Sequence, residues 1–297
     1  MSFFQTLKFI NNHQLAKKHR LRAVVRFLKW QISQKINPHP VVYPFIGNTK
    51  LWVQKGMTGA TGNIYTGLHD FEDMCFLIHF LRPGDLFIDI GANIGSYTLL
   101  AAGVAGADCI SIEPVPQTFE LLKKNIAINN LFNKVTAFNI GVGSQRTTLS
   151  FTKNLDVVNH VVLRKSTGQE EELISVSSES LDLLLADRQS PSLLKIDVEG
   201  FEQEVINGAE SVLSNAALKA IIIELNGSGG RYGYDENNIH QQLLSFGFYC
   251  YQYAPFTRQL RRVEAFGNLN SIYLKDIHFV QERLNSANPV LVFSESI

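Results

Sequence analysis

At 297 residues, 45% hydrophobic and 18% charged, the chain can bury a sizeable core, either as one large domain with an appendage or as two small domains. No apolar run approaches the ~18 residues of a membrane span. The formal charge of zero is uneven: residues 1–40 hold eight Lys/Arg and no Asp or Glu, leaving 19 basic and 27 acidic side chains on the rest.

The first apolar stretch is broken by Lys8 and Asn11, unlike a leader peptide. Cys75, Cys109 and Cys250 lack CxxC spacing and read as buried thiols of a reducing compartment. A cytoplasmic protein is expected. Within the basic arm, Leu21, Val25, Leu28 and Ile32 form a narrow apolar stripe at 100° per residue, with Lys18, Arg22, Arg26 and Lys29 to one side. Two readings stay open: a helix packed on the body with a solvated basic face, or a peripheral contact with an anionic membrane.

Residues 50–70 are rich in Gly and Thr, which predicts a mobile cover over a site or an irregular surface loop. A helical pattern covers 70–81. Strands at 85–90, 107–113, 135–140, near 193–198 and at 219–225 then alternate with helices at 96–105, 117–129, 202–213 and 237–246. That alternation predicts βαβ units in a doubly wound α/β sheet. The short runs TTLSF, VVNHVVL and ELISV predict an inserted antiparallel meander, and GFYCYQY and NSIYL supply two last strands.

The strand-turn-helix FIDIGANIGSYT (87–98) sits where open α/β sheets bind nucleotide-like ligands. Its glycines are spaced Gly91-Ala92-Asn93-Ile94-Gly95. A dinucleotide enzyme needs glycine where Asn93 stands, so a diphosphate is disfavoured. Asp89 suits a ligand with ammonium and sulfonium groups, such as S-adenosylmethionine, and Glu113 in ISIEP suits both ribose hydroxyls. Alternatively, Asp89 and Glu113 cap the helices that follow them.

DIGANIGSYTLLAA, ISIEPVPQTFELLKKNIAINN and LLKIDVEGFEQEVINGAE together resemble the FkbM-type methyltransferases over roughly residues 65–275. The resemblance implies a Rossmann-like, seven-stranded sheet with its last strand antiparallel, dependence on S-adenosylmethionine, and hydroxyl acceptors on sugars or other natural products. It also implies that Asp89, Gly91, Asn93, Gly95 and Glu113 contact the cofactor, with Ala92 inside the same turn. The expected organisation is a basic helical extension over 1–60 and a methyltransferase domain over 61–297.

LLKIDVEGFE places Lys195 and Asp197 on one face of a strand whose carboxyl end would meet the methyl-donor side. Burying such charges requires partners or a polar cavity. Asp197 and Glu199 are candidate general bases for an acceptor hydroxyl, with Lys195 orienting Asp197 or a substrate oxygen. A divalent cation on Asp197 and a second carboxylate would serve the same end. The opposing readings are a structural Lys195–Asp197 pair, a turn glycine at Gly200, and Glu199 and Glu202 favouring a helix N-terminus. Glu202 reads as mainly structural.

The loop IIIELNGSGGRYGYDE offers Glu224, Asn226, Arg231 and Tyr232 to an acceptor, or is a plain solvent loop. Asn159-His160 is a weaker candidate. The acceptor expected is a small molecule or glycan, and the net acidic body disfavours nucleic acid. A nucleic-acid methyltransferase held by the basic arm, an NAD-dependent oxidoreductase and a non-catalytic binding module are the rival classes.

Overall fold

The computed structural model describes residues 3–152, 159–162 and 173–297. Helices α1 (Phe3–Asn12), α2 (Gln14–Lys18) and α3 (Arg20–Ile36) precede a hairpin of β1 (Val41–Pro44) and β2 (Lys50–Val53), then α4 (Thr58–Thr66) and α5 (Phe71–Phe80). The alternating region follows with β3 (Leu86–Ile90), α6 (Ser96–Leu99), β4 (Asp108–Ile112), α7 (Pro116–Ile128) and β5 (Val135–Phe138). Short strands β6 (Gly141–Val142), β7 (Thr147–Thr152) and β8 (Leu173–Glu179) lead to α8 (Leu181–Leu184). Next come β9 (Leu193–Ile196), α9 (Glu202–Asn207), α10 (Glu210–Ser214), β10 (Ala220–Glu224), α11 (Glu236–Ser245) and β11 (Tyr249–Ala254). The chain closes with β12 (Gln259–Arg262), β13 (Asn270–Leu274), α12 (Ile277–Ser286), β14 (Leu291–Val292) and β15 (Glu295–Ser296).

The main sheet runs β12-β11-β13-β10-β9-β3-β4-β5. Strands β5, β4, β3, β9 and β10 are mutually parallel, and β13 is antiparallel to both its neighbours. The doubly wound sheet with an antiparallel closing strand is therefore present. It carries an eighth strand, β12, a charged edge (QLRR) that among the described residues pairs only with β11. Chain order reverses direction between β3 and β9, the switch point where such sheets leave a crevice.

The central strands read as unbroken apolar runs because both faces are covered. Phe87, Leu193 and Ile222 pack on one side with Phe76 and Phe80 of α5, while Ile88, Leu194 and Ile221 pack on the other with Val205 and Leu213. The helix expected over 202–213 breaks at Gly208, where a side chain would overlap the Gly143 carbonyl. Asp182 caps the second piece, accepting from Ser211 N and Val212 N at 2.9 Å each. In the meander, β7 and β8 are antiparallel, β6 pairs parallel to β8, and Phe151 bridges Val161. Residues 157, 158 and 163 of its expected middle strand (157–163) lie outside the described residues.

Two expectations for the N-terminal quarter are corrected. The Gly/Thr-rich stretch forms β2 and the helix α4, not a loop, and Gly62 is needed because a Cβ would overlap the His69 ring. In α3 the residues that pack inward are Ala23, Phe27, Trp30 and Gln34, against Leu51, Val53, Ile64 and Tyr65. The Leu21-Val25-Leu28-Ile32 stripe faces out on the opposite side. Arg26 secures the contact, donating to Tyr65 O from Nε at 2.9 Å and Nη2 at 2.7 Å, and Lys18 pairs with Glu295 at 2.8 Å. The boundary expected after residue 60 falls inside α4.

The two faces of α3 predict opposite responses to truncation. Trp30→Ala should lower unfolding free energy by about 3–5 kcal/mol, and Leu28→Ala by less than about 0.5 kcal/mol, both read from urea denaturation.

Candidate active site

The turn after β3 is tied to its neighbours by backbone. Gly91 N and Ala92 N both donate to Ile112 O at 2.9 Å. Gly91 has φ +80°, and a Cβ there would overlap the Asp197 carbonyl oxygen, so this turn and the end of β9 are in direct contact. Asn93 sits in the left-handed region (φ +51°), which asparagine tolerates, and its Oδ1 accepts from Ile94 N at 2.7 Å. Gly95 (φ +93°) leaves no room either: a Cβ would lie 2.6 Å from Leu122 Cδ1.

Glu113 braces this turn from β4, accepting from Asn93 N through Oε2 and Val115 N through Oε1, both at 2.9 Å. Burial pushes its carboxyl up to about 7. Each oxygen keeps a lone pair for a ligand hydroxyl. Asp89 is 1% exposed and accepts from Thr98 Oγ1 at 2.7 Å. Burial raises its pKa, opposed by the Lys195 charge.

Lys195 pairs in register with Asp89 across β3 and β9, and its Nζ donates to Asp197 Oδ2 at 2.7 Å. Burial alone would lower the ammonium's pKa, but Asp197 and Asp89 outweigh it and raise it. Its Nζ also lies 4.7 Å from the centre of the Tyr97 ring. The lysine on a buried strand thus has anionic partners on both sides.

Beyond β9 the chain turns sharply. Glu199 takes φ +54° and Gly200 φ +101°, where a Cβ would come within 2.6 Å of Ser228 O. Glu202, 1% exposed, accepts from Val198 N at 3.0 Å and Gly200 N at 3.2 Å, so it holds the turn together. Burial pushes Glu202 up to about 7. Burial, then Asp197 and Glu202, push Glu199 up to about 7. Glu224, at the end of β10, rises to about 9 through burial and then the charges of Asp197 and Glu199. One oxygen each from Asp197, Glu199 and Glu224 lies within 4.8 Å of the others. Glu224 Oε2 is buried without a hydrogen-bond partner, as is Asn270 Oδ1 beside it in the wall.

A cavity of about 280 Å³ joins these parts, from Glu113 and Val115 past Asp89 and the Gly91–Ile94 segment to Lys195, Asp197, Glu199 and Glu224. Gly59 and Ala60 of α4 form part of one wall, and Phe151, Val161 and Phe201 an apolar side. Gly95 lies behind the lining. Asn159 reaches the cavity, whereas Asn226, Arg231 and Tyr232 do not line it. Asn226 Oδ1 accepts from Ser228 N, Arg231 Nη1 donates to Glu199 O at 3.1 Å, and Tyr232 Oη donates to Val161 O at 2.8 Å. Those three shape the loops behind the wall.

Sequence reasoning missed Asp70, Tyr97 and Asn270. Tyr97 Oη donates to Asp70 Oδ2 at 3.1 Å, and all three line the acidic end of the cavity. Nearby Asp73 is pushed up to about 8 by burial and then by Asp70. The GLHDFED run signals only a helix start, so proximity to the acidic strand end had no local mark.

A sheet with this switch-point crevice, a glycine turn braced by an acid on the adjacent strand and an acidic neighbouring strand end defines a Rossmann-like methyltransferase. Residues 89–250 match the Methyltransferase FkbM domain, and the chain belongs to the FkbM methyltransferase family. It is 29% identical over 132 residues to Methyltransferase sdnD of Sordaria araneosa, covering 43% of this chain and 49% of that protein. It is 28% identical over 197 residues to 31-O-demethyl-FK506 methyltransferase FkbM of Streptomyces tacrolimicus, covering 55% and 74%. With the hexuronic acid methyltransferase AglP of Haloferax volcanii the identity is 27% over 152 residues, covering 50% and 59%. Among solved structures, a methyltransferase FkbM from Methylobacillus flagellatus superimposes with TM-score 0.43 at 16% identity, over 64% of this chain and 43% of that one.

The raised carboxyls set the sign of a pH effect. A native Glu224 that holds its proton to about pH 9, against an ordinary 4.5, makes the folded state the greater proton binder across that window, so stability falls as pH rises through it. Glu224→Gln should raise the melting temperature near pH 9 and leave it nearly unchanged below pH 4.5, measured by calorimetry.

Proposed function

We propose that the protein transfers a methyl group from S-adenosylmethionine to a hydroxyl oxygen of a sugar, glycan or related small molecule. The observation that carries this reading is the convergence of Asp197, Glu199 and Glu224 within 4.8 Å in the wall of the cavity that Glu113 also lines. The residues present fit the cofactor: Glu113 has acceptor capacity for ribose hydroxyls, the turn from Gly91 brings backbone close, and the surplus of carboxylates suits a cationic ligand. When bound, S-adenosylmethionine supplies a sulfonium-borne methyl that needs little activation.

The acceptor does need help, because its hydroxyl must lose a proton as the C–O bond forms. Glu199, with its carboxyl near 7, is poised to take that proton at neutral pH, where general bases work best. Lys195 fixes the direction of the Asp197 carboxylate. Glu224 carries a proton at neutral pH and presents an O–H or its unpartnered oxygen to the acceptor. Phe151, Val161 and Phe201 give the acceptor an apolar surface on which a sugar ring face can pack. Oxygen or sugar acceptors in the names of the Streptomyces and Haloferax relatives support the same substrate class.

A second reading uses the same carboxylates to hold a divalent cation that lowers the hydroxyl's pKa. The test begins with calorimetric titration of S-adenosylmethionine into the wild type and Glu113→Ala, where binding should be lost in the variant. Neutral sugars and glycans are then screened for methylation. With a turned-over acceptor, Glu199→Gln should lower kcat by about 10²–10⁴-fold while cofactor binding persists. Activity abolished by EDTA and restored by Mg²⁺ would select the cation; absence of cofactor binding to the wild type would sink both readings.

A further inference from the structure

The outward face of α3 is an exposed apolar face that the fold does not use. Leu21, Val25, Leu28, Ile32 and Ile36 are 77%, 39%, 41%, 57% and 80% exposed. Their spacing of 4, 3, 4 and 4 residues keeps them within an arc of about 80°, a continuous row about 22 Å long. The row lies opposite Ala23, Phe27, Trp30 and Gln34, so the helix has two apolar faces and the described residues of the body cover only one. Other exposed apolar side chains include Phe132, Leu183 and Leu269, and Phe3 and Phe4 of α1, whose rings lie 5.9 Å apart.

We propose that this outer face is a membrane-docking surface that seats α3 in the headgroup region of an anionic bilayer. Charge argues for that occupant. On the helical wheel Lys35 flanks one side of the row, and Lys29 and Arg22 flank the other. Residues 1–40 contain no Asp or Glu to offset them. Arg26 and Lys18 are engaged inward with Tyr65 and Glu295, whereas Lys29 and Lys35 stand exposed. An apolar row between lysines whose stems can run along it and lift their ammonium groups is the pattern of an interfacial helix.

The same pattern disfavours two other occupants. A second copy placed face to face would bring matching rows of cations together. Nucleic acid would gain from the cations but nothing from five aliphatic side chains between them. A single helix of this size anchors only marginally by apolar contact alone, so binding depends on the charges and is reversible. The helix also packs on α4, whose Gly59 and Ala60 line the cavity, so docking would hold the cavity close to the lipid surface. The proposal does not rest on the methyl-transfer reading and can fail without it.

The test is co-sedimentation of the full chain with vesicles of phosphatidylcholine, with and without phosphatidylglycerol. Binding is expected only to the anionic vesicles and should weaken as salt rises. Leu28→Ser with Ile32→Ser should abolish it while circular dichroism and melting temperature stay unchanged, because both side chains are exposed. Lys29→Ala and Lys35→Ala should each weaken it about fivefold. No binding at low salt, or binding indifferent to the serine pair, overturns the proposal. So does a dimer, seen by light scattering, that the serine pair dissociates, since the face then belongs to a second copy. Equal capture of RNA by the wild type and the serine pair, with no vesicle binding, assigns the cations to nucleic acid.

Discussion

Where β3 and β9 end side by side, the backbone of Gly91 touches the carbonyl of Asp197. Asp197 N also donates to Ile90 O at 3.0 Å, so one backbone hydrogen bond and one close steric contact join the two strand ends. A residue with any side chain at Gly91 would force them apart. Everything at the crevice depends on that closeness: it sets the glycine turn, braced by Glu113, beside the turn that carries Glu199. Binding and chemistry are neighbours because two chain segments about a hundred residues apart in sequence meet with no atom to spare.

Electrostatics explains why the acids beyond β9 need so much support. Seven carboxyls reach or approach one cavity (Asp70, Asp73, Asp89, Glu113, Asp197, Glu199 and Glu224), against Lys195 as the buried cation among them. Burial and mutual repulsion drive several towards the neutral form, and the lysine holds two in place through direct or cross-strand pairing. A cationic ligand relieves that repulsion. A neutral acceptor adds nothing to it, whereas an anionic group beside the reacting hydroxyl would need a cation of its own.

Much of this was legible in the chain. The βαβ rhythm, the turn at Gly91–Gly95, Glu113 one strand over and the acidic end of β9 all carry local signatures: apolar runs, obligatory glycines, and charges where none should be cheap. Other parts carried none. Asp70, Tyr97 and Asn270 come from a helix start, an apolar helix and a strand start, and only the packing of α5 on the sheet and the pairing of β13 with β10 bring them together. The Gly/Thr-rich stretch looked like a loop because glycine disfavours helix, yet Gly62 is there for contact with His69. In α3 the stronger periodic signal, Leu-Val-Leu-Ile, marked the wrong face for packing. The buried face contains an alanine and a glutamine, and Gln34 bonds Lys55 N at 3.0 Å, so hydropathy underrates it. The eighth strand was invisible because QLRR is an edge with charged side chains.

Glu199 is held in a left-handed backbone conformation that an L-residue adopts at a penalty of about 1–2 kcal/mol. A glycine would sit there without strain, as Gly200 does next to it. The fold therefore tolerates a standing loss of stability in order to keep a carboxylate at that point. Selection for thermal robustness alone would favour glycine at this position, and a chain improved in that way would be sturdier and blunt. Stabilising this protein safely means working elsewhere, on positions whose conformation asks nothing of the backbone.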